Sequence, residues 1–388
     1  METVFFGTDG IAIKRAQDYG ETGCRRFYGS LSDIPKTELS TTLFIVISGQ
    51  TQCRKDFESL CSLGINPYLI SFYENLEWRR GCSFLGQFLW FGRSYYRSCV
   101  YRCGDYLNVD YSGDIANDYK LISQKWNEVI ERWRNNESTP CDNCVRLTEQ
   151  LWPRTPKLRT LSLYGGFRGE RCNARCIYCD STDNLKMAKC PNSPTMVDAI
   201  KDFIDIKELH IFSIALSAGE ITVSPYKSEI FELLNSNGIK ASIFSNGLLF
   251  EPYIYDSLHN HQGSLNISLD AGTPETFHKI KGINRFQRVV ENIARYSESQ
   301  GKVELKYIFI EGINDNIKDV DGFLAICKKY ASTVRVSCDK FRYKNRLSVN
   351  AFNLIRVIVE KCKEYSLPLA FSYSQFNDDD CIKLKELL

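Results

Sequence analysis

Three closely spaced cysteines carry the clearest chemistry in this chain of 388 residues. Cys172, Cys176 and Cys179 lie in the run Gly-Glu-Arg-Cys-Asn-Ala-Arg-Cys-Ile-Tyr-Cys, which gives the spacing C-x3-C-x2-C. Three thiolates on one short loop can each bind one iron of a [4Fe–4S] cluster. No fourth cysteine follows at a matching spacing, so one iron would be open to a ligand that is not protein. Two simpler interpretations compete with the cluster: a zinc site, which normally needs four N or S ligands, and buried thiols without metal.

Composition limits the class of protein. The net charge is +2, which predicts no nucleic-acid or membrane partner, and the apolar share of 43% is enough for sizeable cores. The first residues do not resemble a signal peptide, and no apolar run approaches the roughly 20 residues that span a bilayer. We therefore expect a cytoplasmic protein. Thiols stay reduced in the cytoplasm, so the sixteen cysteines predict metal ligands and buried thiols, not a disulfide framework.

Strand and helix patterns divide the chain into three segments. Residues 1–75 alternate between strand and helix, which predicts a small Rossmann-like α/β domain. Only Gly7 and Gly10 remain there of a G-x-G-x-x-G turn, so a domain without a nucleotide competes with a nucleotide-binding one. Residues 76–150 form a cysteine-containing connecting segment. Residues 151–388 show six strands that alternate with helices, too few for an eight-stranded barrel, which predicts an open, parallel partial (β/α)6 barrel. The six predicted strands are 158–164, 208–213, 240–245, 264–268, 302–309 and 333–338.

Short motifs follow the predicted strands at their carboxyl ends, where parallel α/β sheets bind ligands. The three cysteines follow the first strand, and Ser-Ala-Gly-Glu (217–220) follows the second. The third strand ends in Ser-Asn-Gly (245–247), and the fourth ends in Ser-Leu-Asp-Ala-Gly (268–272). In type and order these motifs resemble those of the radical S-adenosylmethionine (radical SAM) superfamily, and the resemblance covers residues 158–345.

The resemblance implies a cofactor pair and a reaction. In that superfamily SAM chelates the open iron of a [4Fe–4S] cluster, and an electron from the cluster cleaves the sulfonium to a 5′-deoxyadenosyl radical. A low-potential electron donor such as flavodoxin is then expected, with a peptide, a sugar or a small metabolite as substrate. The competing hypothesis is an iron–sulfur binding or electron-carrier protein without SAM chemistry. The residues that the resemblance places around the cofactors are Tyr178, Ser217, Gly219, Glu220, Asn246, Ser268 and Asp270.

Strand alternation gives a separate prediction for the interior of the barrel. Successive side chains of a strand point to opposite faces, and the outer helices must cover the apolar face. In the fifth strand Glu304 and Lys306 lie opposite apolar residues, and in the sixth strand Arg335 and Asp339 lie opposite Cys338 and two valines. We therefore expect Lys306, Arg335 and Asp339 to face the substrate, although some of these charges could pair with each other. Cys338, which could donate a hydrogen atom to a substrate radical, is expected to be a buried thiol instead.

The connecting segment carries a second group of cysteines. Cys141 and Cys144 have the spacing C-x2-C, and with the aromatic and acidic residues before them they resemble the SPASM/twitch auxiliary-cluster domains. Those domains usually follow a radical SAM domain, whereas this segment precedes it. Three interpretations stay open: a second [4Fe–4S] cluster on Cys103 or Cys99 with Cys141 and Cys144, a zinc knuckle on all four cysteines, or thiols without a metal.

Overall fold

The described residues form two compact units. Within Met1–Cys82, Asn127–Thr139 and Arg146–Pro156 they belong to the first unit, and within Ser83–Trp126, Pro140–Val145 and Lys157–Leu388 to the second. The connecting segment is therefore divided between the two units. No helix in the described part of the chain is long and apolar enough to cross a membrane. The computed structural model describes residues 2–8, 12–13, 16, 26–35, 42–47, 50–65, 70–72, 76–82, 84–92, 95–99, 104–144, 146–156, 158–179, 193–206, 209, 211–339 and 346–387.

A four-stranded parallel sheet lies at the centre of the first unit, in the order β2-β1-β3-β4. The central strands carry buried apolar residues, among them Val4, Phe44 and Ile45, as expected for strands that are covered on both faces. A separate antiparallel pair, β5 and β9, belongs to the same unit. The elements are β1 (Glu2–Phe6), β2 (Phe27–Tyr28), β3 (Thr42–Val46), α1 (Gln50–Ser62), β4 (Ile70–Phe72), β5 (Leu76–Gly81) and β9 (Thr148–Pro153).

The turn after β1 is bound by a carboxylate. The backbone N–H of Thr8 donates to Asp56 Oδ2 at 3.1 Å, and the Thr8 hydroxyl donates to Asp56 Oδ1 at 2.7 Å. In a nucleotide-binding turn such N–H groups donate to a phosphate. Because Asp56 is buried and acidic, its charge would repel a phosphate at this position. The contact favours a structural role for this unit over nucleotide binding.

A ten-stranded sheet forms the second unit, in the order β16-β15-β14-β13-β12-β11-β10-β6-β7-β8. The strands from β10 to β16 are parallel, β6 joins β10 in parallel, and β7 and β8 add antiparallel strands beyond it. The strands are β6 (Phe88–Gly92), β7 (Tyr95–Arg97), β8 (Val109–Asp110), β10 (Thr160–Gly165), β11 (Ser213–Leu216), β12 (Lys240–Ser245), β13 (Gly263–Ser268), β14 (Lys302–Phe309), β15 (Thr333–Cys338) and β16 (Leu369–Phe371).

Helices alternate with the parallel strands, as a βα-repeat requires. The mixed α/β class with a parallel sheet is thus confirmed. The helices from residue 104 onward are α2 (Gly104–Leu107), α3 (Ile115–Arg134), α4 (Met196–Ile204), α5 (Lys227–Ser236), α6 (Pro252–His259), α7 (Pro274–Lys281), α8 (Phe286–Ser297), α9 (Ile317–Tyr330), α10 (Val349–Glu364) and α11 (Asp378–Leu387).

In the region 151–388 one strand lies elsewhere than the sequence predicted, and two elements, β16 and α7, were missed. The second barrel strand lies at Ser213–Leu216 and not at 208–213, because Leu209 and Phe212 are buried from a loop and their apolar character does not mark a strand. β16 extends the sheet by a strand of three residues, too short to give an alternation signal. Helix α7 was missed although its start is marked by Thr273, whose hydroxyl accepts the N–H of Thr276, and by a proline in the first turn.

The strands of the second sheet present one apolar and one polar face. Tyr307 of β14 is fully buried, and its ring lies 4.8 Å from that of Phe323 in α9. On the other face, the guanidinium of Arg335 donates to both oxygens of Glu304, at 2.5 and 2.9 Å, and Asn266 also donates to Glu304. The parallel register pairs Asn266 with Glu304 and Lys306 with Arg335, so these polar side chains share one face.

Candidate metal centre

The three cysteines lie on the loop that follows β10, at the carboxyl end of the parallel strands. Cys172, Cys176 and Cys179 are part-exposed and free of disulfides. Burial raises the pKa of Cys172 to about 11 and also raises the pKa of Cys176, so these thiols are protonated at neutral pH and would release protons when a metal binds. Among the described residues no three His, Cys, Asp or Glu side chains converge on one ion. A [4Fe–4S] cluster does not need that convergence, because each thiolate binds a different iron.

The end of helix α7 positions the cysteine loop. The N–H of Arg175 donates to the carbonyl of Lys281, and the N–H of Ile177 donates to the carbonyl of Ile280, each at 3.0 Å. Carbonyls in the last turn of a helix have no partner within the helix, so they are available to this loop. Gly282 ends α7 with φ 71°, and a Cβ atom there would lie 3.1 Å from Cβ of Arg175. A glycine therefore lets the loop approach the helix end closely.

A buried ion pair lies directly behind the loop. Lys281 Nζ is 2.6 Å from Asp270 Oδ2, and the two side chains are 1% and 0% exposed. The hydroxyl of Tyr178 donates to the same oxygen at 2.5 Å and accepts from Lys281 at 2.7 Å. The N–H of Ile308 donates to Asp270 Oδ1 at 2.9 Å. One carboxylate thus joins the cysteine loop, α7, the end of β13 and β14.

The contacts and conformation of Asp270 and Tyr178 indicate what these two residues do in the structure. Burial is the largest effect on the pKa of Lys281 and lowers it, but the charge and hydrogen bond of Asp270, together with Cys176 and Cys179, raise it by more, so the net shift of the pKa is upward. Asp270 has φ 59°, and Asn314 donates to its carbonyl at 2.7 Å, which stabilises this left-handed conformation. We expected both residues at the cofactors. In the structure the carboxylate of Asp270 and the hydroxyl of Tyr178 bind protein groups, which favours a role in positioning the loop. Their contact with a cofactor stays a prediction.

Glu220 has a similar position between two strand ends. Its Oε1 accepts the hydroxyls of Thr222 and Ser245 at 2.8 and 2.9 Å, and its Oε2 accepts the N–H of Asn246 at 2.7 Å. Burial raises the pKa of Glu220, and these hydrogen bonds oppose the rise. Glu220, which the sequence placed at SAM, is 2% exposed and connects the segments that follow β11 and β12. Its carboxylate therefore connects two protein segments in this structure.

Gly219 and Asn246 touch the cysteine loop directly. Gly219 has φ 55°, and a Cβ atom there would lie 2.5 Å from the carbonyl oxygen of Arg171, so only glycine fits. The amide of Asn246 donates to Asn173 at 2.7 Å and lies 3.9 Å from the sulfur of Cys172. The motifs after β11 and β12 are thus brought to the cysteines, as their order in the sequence implies.

The two serines of the predicted SAM set lie at the ends of their strands. Ser217 donates to the carbonyl of Leu163 at 3.0 Å, next to the end of β10. Ser268 is part-exposed and lies opposite Lys306 in the register of β13 and β14. Both are on the side of the sheet from which the cysteine loop departs.

Of the three residues predicted to face substrate, Lys306 is distinguished by its lack of a partner. Among the described residues its ammonium group makes no hydrogen bond and no ion pair, although its backbone carbonyl accepts the N–H groups of Leu269 and Asp270. The guanidinium of Arg335, in contrast, is bound to Glu304. Burial lowers the pKa of Lys306, and the charge of Arg335 adds to that effect. Asp339 is buried at the end of β15, where its N–H donates to Phe309. Cys338 is buried and its thiol donates to the carbonyl of Gln375 at 2.9 Å, so its geometry is that of a packed thiol.

The upstream cysteines are described only in part. Cys141 is buried and Cys144 part-exposed, and they flank a turn in which the N–H of Cys144 donates to the carbonyl of Cys141 at 3.0 Å. Cys99 is buried. Cys103, the remaining residue of the predicted set, lies outside the described residues.

Lys281 and Asn173 are the site residues that sequence reasoning missed. Lys281 lies in α7, which was not predicted, although a lysine directly before a helix-ending glycine was a signal of that helix end. Asn173 follows the first cysteine of the loop, and nothing in the spacing marks its contact with Asn246.

Comparison with known families shows what this part of the chain is similar to. The family model described as radical SAM superfamily matches residues 168–324. GTP 3′,8-cyclase of Haemophilus influenzae (strain 86-028NP) is 30% identical over 162 residues, which cover 41% of this chain and 48% of that protein. GTP 3′,8-cyclase of Desulforamulus reducens is 28% identical over 154 residues, which cover 38% and 46%. The chain thus spans about half the length of the curated relatives that it matches.

Solved structures with a similar arrangement were also found. Streptococcus suis SuiB bound to precursor peptide SuiA has a TM-score of 0.47 at 13% identity, covering 68% of this chain and 56% of that chain. Histidine-tagged anSMEcpe with bound AdoMet has a TM-score of 0.42 at 13% identity, covering 55% and 64%.

The buried ion pair behind the loop gives a stability prediction. Lys281→Met leaves Asp270 charged and buried without its partner, so we expect a loss of about 3–5 kcal/mol in the free energy of unfolding. The double variant Asp270→Asn with Lys281→Met removes both charges and should lose less than the single variant. Urea unfolding measures both. Lys201→Met, which breaks the exposed pair with Glu229, serves as the control and should lower the free energy of unfolding far less than Lys281→Met, because water screens the exposed pair. A single variant no less stable than that control would contradict the role of the pair.

Proposed function

We propose that this chain, a radical SAM enzyme by virtue of its domain at residues 168–324, cleaves SAM reductively and uses the 5′-deoxyadenosyl radical to abstract hydrogen from a substrate. When bound, a [4Fe–4S] cluster and SAM supply the electron and the radical, while the protein orients the reactants and excludes water. A compartment with reduced thiols, such as the cytoplasm, suits this chemistry.

The position of the three cysteines is the observation that carries this proposal. Cys172, Cys176 and Cys179 follow β10 at the end of the sheet where α/β proteins bind ligands. The loop is held on one side by α7 and touched on the other by Gly219 and Asn246. The donor set, three thiolates on a loop with fixed ends, fits a cluster with one open iron.

We divide the residues around the loop into two groups. The frame consists of side chains that other protein groups bind and that hold the loop, and the second group consists of residues that could contact a ligand. Asp270, Glu220 and the hydroxyl of Tyr178 are bound by other protein groups and hold the frame. The groups proposed to contact SAM are the backbone near Gly219, the Asn246 amide and the hydroxyls of Ser217 and Ser268. The Ser217 hydroxyl donates to Leu163 and can still accept, whereas the Asn246 amide would have to exchange its bond to Asn173. An ammonium group of SAM would find its acceptors among the carbonyl and hydroxyl oxygens of this group.

The polar face of the sheet is the proposed substrate surface. Lys306, Arg335 and Asp339 lie on or at the end of strands β14 and β15, beyond the strands that carry the SAM motifs. A lysine with a lowered pKa and no partner among the described residues can bind an anionic group or exchange a proton with substrate. Peptides, sugars and small metabolites are all candidate classes. The names of the curated relatives make GTP the first compound to test, although the match covers only about half of their length.

The cysteine assignment predicts a defined loss of iron. Replacing Cys172, Cys176 and Cys179 together by Ala should remove about four irons per chain, the content of one cubane, and abolish release of 5′-deoxyadenosine from SAM under dithionite. Iron analysis and chromatography of the reconstituted protein measure the two quantities. Wild type that holds the cluster but releases no 5′-deoxyadenosine would favour the electron-carrier alternative, and unchanged iron in the triple variant would refute the assignment.

Replacing Lys306 should lower the turnover of substrate without lowering the cleavage of SAM. If Lys306 contacts substrate and not SAM, Lys306→Met should lower turnover of substrate about tenfold or more, the effect of one lost hydrogen bond to a charged group. Formation of 5′-deoxyadenosine without substrate should stay close to wild type. Lys302→Met is the control, because Lys302 is exposed at the start of the same strand. Equal turnover in the two variants would count against a substrate-facing Lys306.

The upstream cysteines lead to a prediction for the metal content of each chain. If Cys141 and Cys144 bind a second cluster, wild type should contain more than about four irons per chain. Cys141→Ala with Cys144→Ala should then lose only the excess. Zinc in elemental analysis would favour the zinc knuckle, and the absence of both metals would show that these thiols are structural.

A further inference from the structure

Four part-exposed side chains of β6 and β7 share one face of the sheet in the second unit. The antiparallel register pairs Trp90 with Arg97, and side chains paired in this way lie on the same face, as do side chains two positions apart in one strand. The four residues are Phe88, Trp90, Tyr95 and Arg97. The ring centroids of Phe88 and Trp90 lie 4.2 Å apart. This face therefore presents aromatic rings together with one cation.

The opposite face of the same strands is packed against helices. Phe91 and Tyr96 are at most 1% exposed, and their ring centroids lie 6.2 and 6.1 Å from that of Phe203 in α4. Trp126 of α3 donates to the hydroxyl of Ser98 at 2.8 Å. The part-exposed rings on the first face take no part in this core, so packing of the helices does not explain them.

An irregularity in β10 brings a fifth aromatic ring to the first face. Phe91 and Gly92 are neighbours in β6, but their partners in β10 are two residues apart, so Tyr164 is an additional residue of its strand, as in a β-bulge. A Cβ atom at Gly92 would lie 2.9 Å from the Tyr164 ring. Because Gly92 is two positions from Trp90, the ring lies on the face of Trp90. We refer to Phe88, Trp90, Tyr95, Tyr164 and Arg97 as the aromatic–arginine face.

The guanidinium of Arg97 has no acidic partner among the described residues. Its Nη2 donates to the Tyr95 hydroxyl at 3.1 Å, and its central carbon lies 5.4 Å from the centroid of the Tyr95 ring. Its Nε is buried and has no hydrogen-bond partner in the described part of the chain. A buried donor without an acceptor costs free energy. An anionic group of a ligand would supply the acceptor and the opposite charge.

The aromatic–arginine face borders on a row of small side chains. Trp90 pairs in register with Ser162 of β10, and the row continues on the same face through small residues of the next three strands. These residues are Ala215, Ser242 and Ser264. Tyr164 lies near the end of β10 from which the cysteine loop departs. A group stacked on these rings would thus lie toward the ligand-binding end of the sheet, beside small residues that leave room for it.

We propose that the aromatic–arginine face binds a planar aromatic ring of the substrate by stacking, and an anionic group of the same molecule through Arg97. This inference rests on the proposed function, because it assigns part of the substrate to the same site. Aromatic rings pair favourably beyond the area that they bury, and a guanidinium binds phosphates and carboxylates through several N–H groups. Among the candidate substrates this chemistry favours a nucleotide or an aromatic carboxylate over an uncharged sugar.

Binding of charged and uncharged probes tests the ring and the anion separately. GTP represents a nucleotide and N-acetyl-L-tyrosine an aromatic carboxylate, while guanosine and N-acetyl-L-tyrosinamide carry the same rings without the anion. At least one charged probe should bind the reconstituted full-length protein, and its uncharged analogue should bind about tenfold more weakly or worse. The charged probe that binds identifies the source of the anion. Isothermal titration calorimetry measures each Kd.

Variants of two residues on the face should weaken that binding. Arg97→Gln should raise the Kd of the charged probe about tenfold or more, because it removes hydrogen bonds to a charged group. Trp90→Leu should raise it about fivefold or more through loss of stacking, whereas Trp90→Phe, which keeps a ring, should retain most of the affinity. Arg295→Gln is the matched control, since Arg295 is exposed on α8 with its guanidinium carbon 3.5 Å from the centroid of the Phe250 ring, and its Kd should stay within about twofold of wild type.

The outcomes distinguish this site from the proposed function. Wild type that binds neither GTP nor N-acetyl-L-tyrosine would overturn the proposal, as would equal affinity for the uncharged analogues. A Kd that is unchanged in Arg97→Gln, or lowered affinity in Arg295→Gln to the same extent, would also overturn it. These measurements need no cleavage of SAM. Wild type that binds the probes as expected but releases no 5′-deoxyadenosine under dithionite would contradict the radical SAM function and not the binding face.

Discussion

The ion pair between Asp270 and Lys281 is the interaction on which the cysteine loop depends. The loop has no regular secondary structure of its own, so its shape must come from contacts with neighbouring elements. A charged pair in the protein interior is expensive to form, and it persists only where the geometry satisfies both partners. Here the remaining capacity of the carboxylate is taken by the Tyr178 hydroxyl and the Ile308 N–H. These hydrogen bonds offset the free-energy cost of burying the ion pair. The ion pair then holds four separate chain segments in one arrangement.

Acidic residues of the motifs hold the strand ends together, and this explains why they are buried. Asp270 and Glu220 both lie where a strand gives way to a loop, and both accept backbone N–H groups of a neighbouring segment. Parallel strands end at the same edge of a sheet, so a carboxylate at that edge can bridge two loops that are far apart in sequence. The smaller groups between them, Gly219 and the Asn246 amide, then contact the cysteine loop itself.

Long alternating strands were predictable from the sequence, and contacts that depend on a missed helix were not. The bounds of β12, β14 and β15 agree with the prediction, because β14 and β15 alternate apolar and polar residues over six positions and β12 does so over its first four. Helix α7 has only eight residues and was not predicted. The position of Lys281 at the end of this helix could therefore not be predicted either. Asp270 was accordingly expected at SAM, since its motif was visible and its partner was not. The order of the motifs was sufficient to bring Gly219 and Asn246 to the cysteines, because parallel strands place all their carboxyl ends together.

The two sides of the cysteine loop differ in their electrostatics, and the difference has a physical basis. On the inner side, low dielectric makes an unmatched charge costly, so Lys281 is paired with Asp270 and Arg335 with Glu304. On the outer side, water solvates exposed arginines such as Arg171, so they need no acidic neighbour, and the pair of Arg288 with Glu291 is exposed on both sides. Within the sheet Lys306 is an exception, because no partner of its ammonium group is described and burial lowers its pKa. An anionic group bound beside it would supply the charge that the protein itself does not.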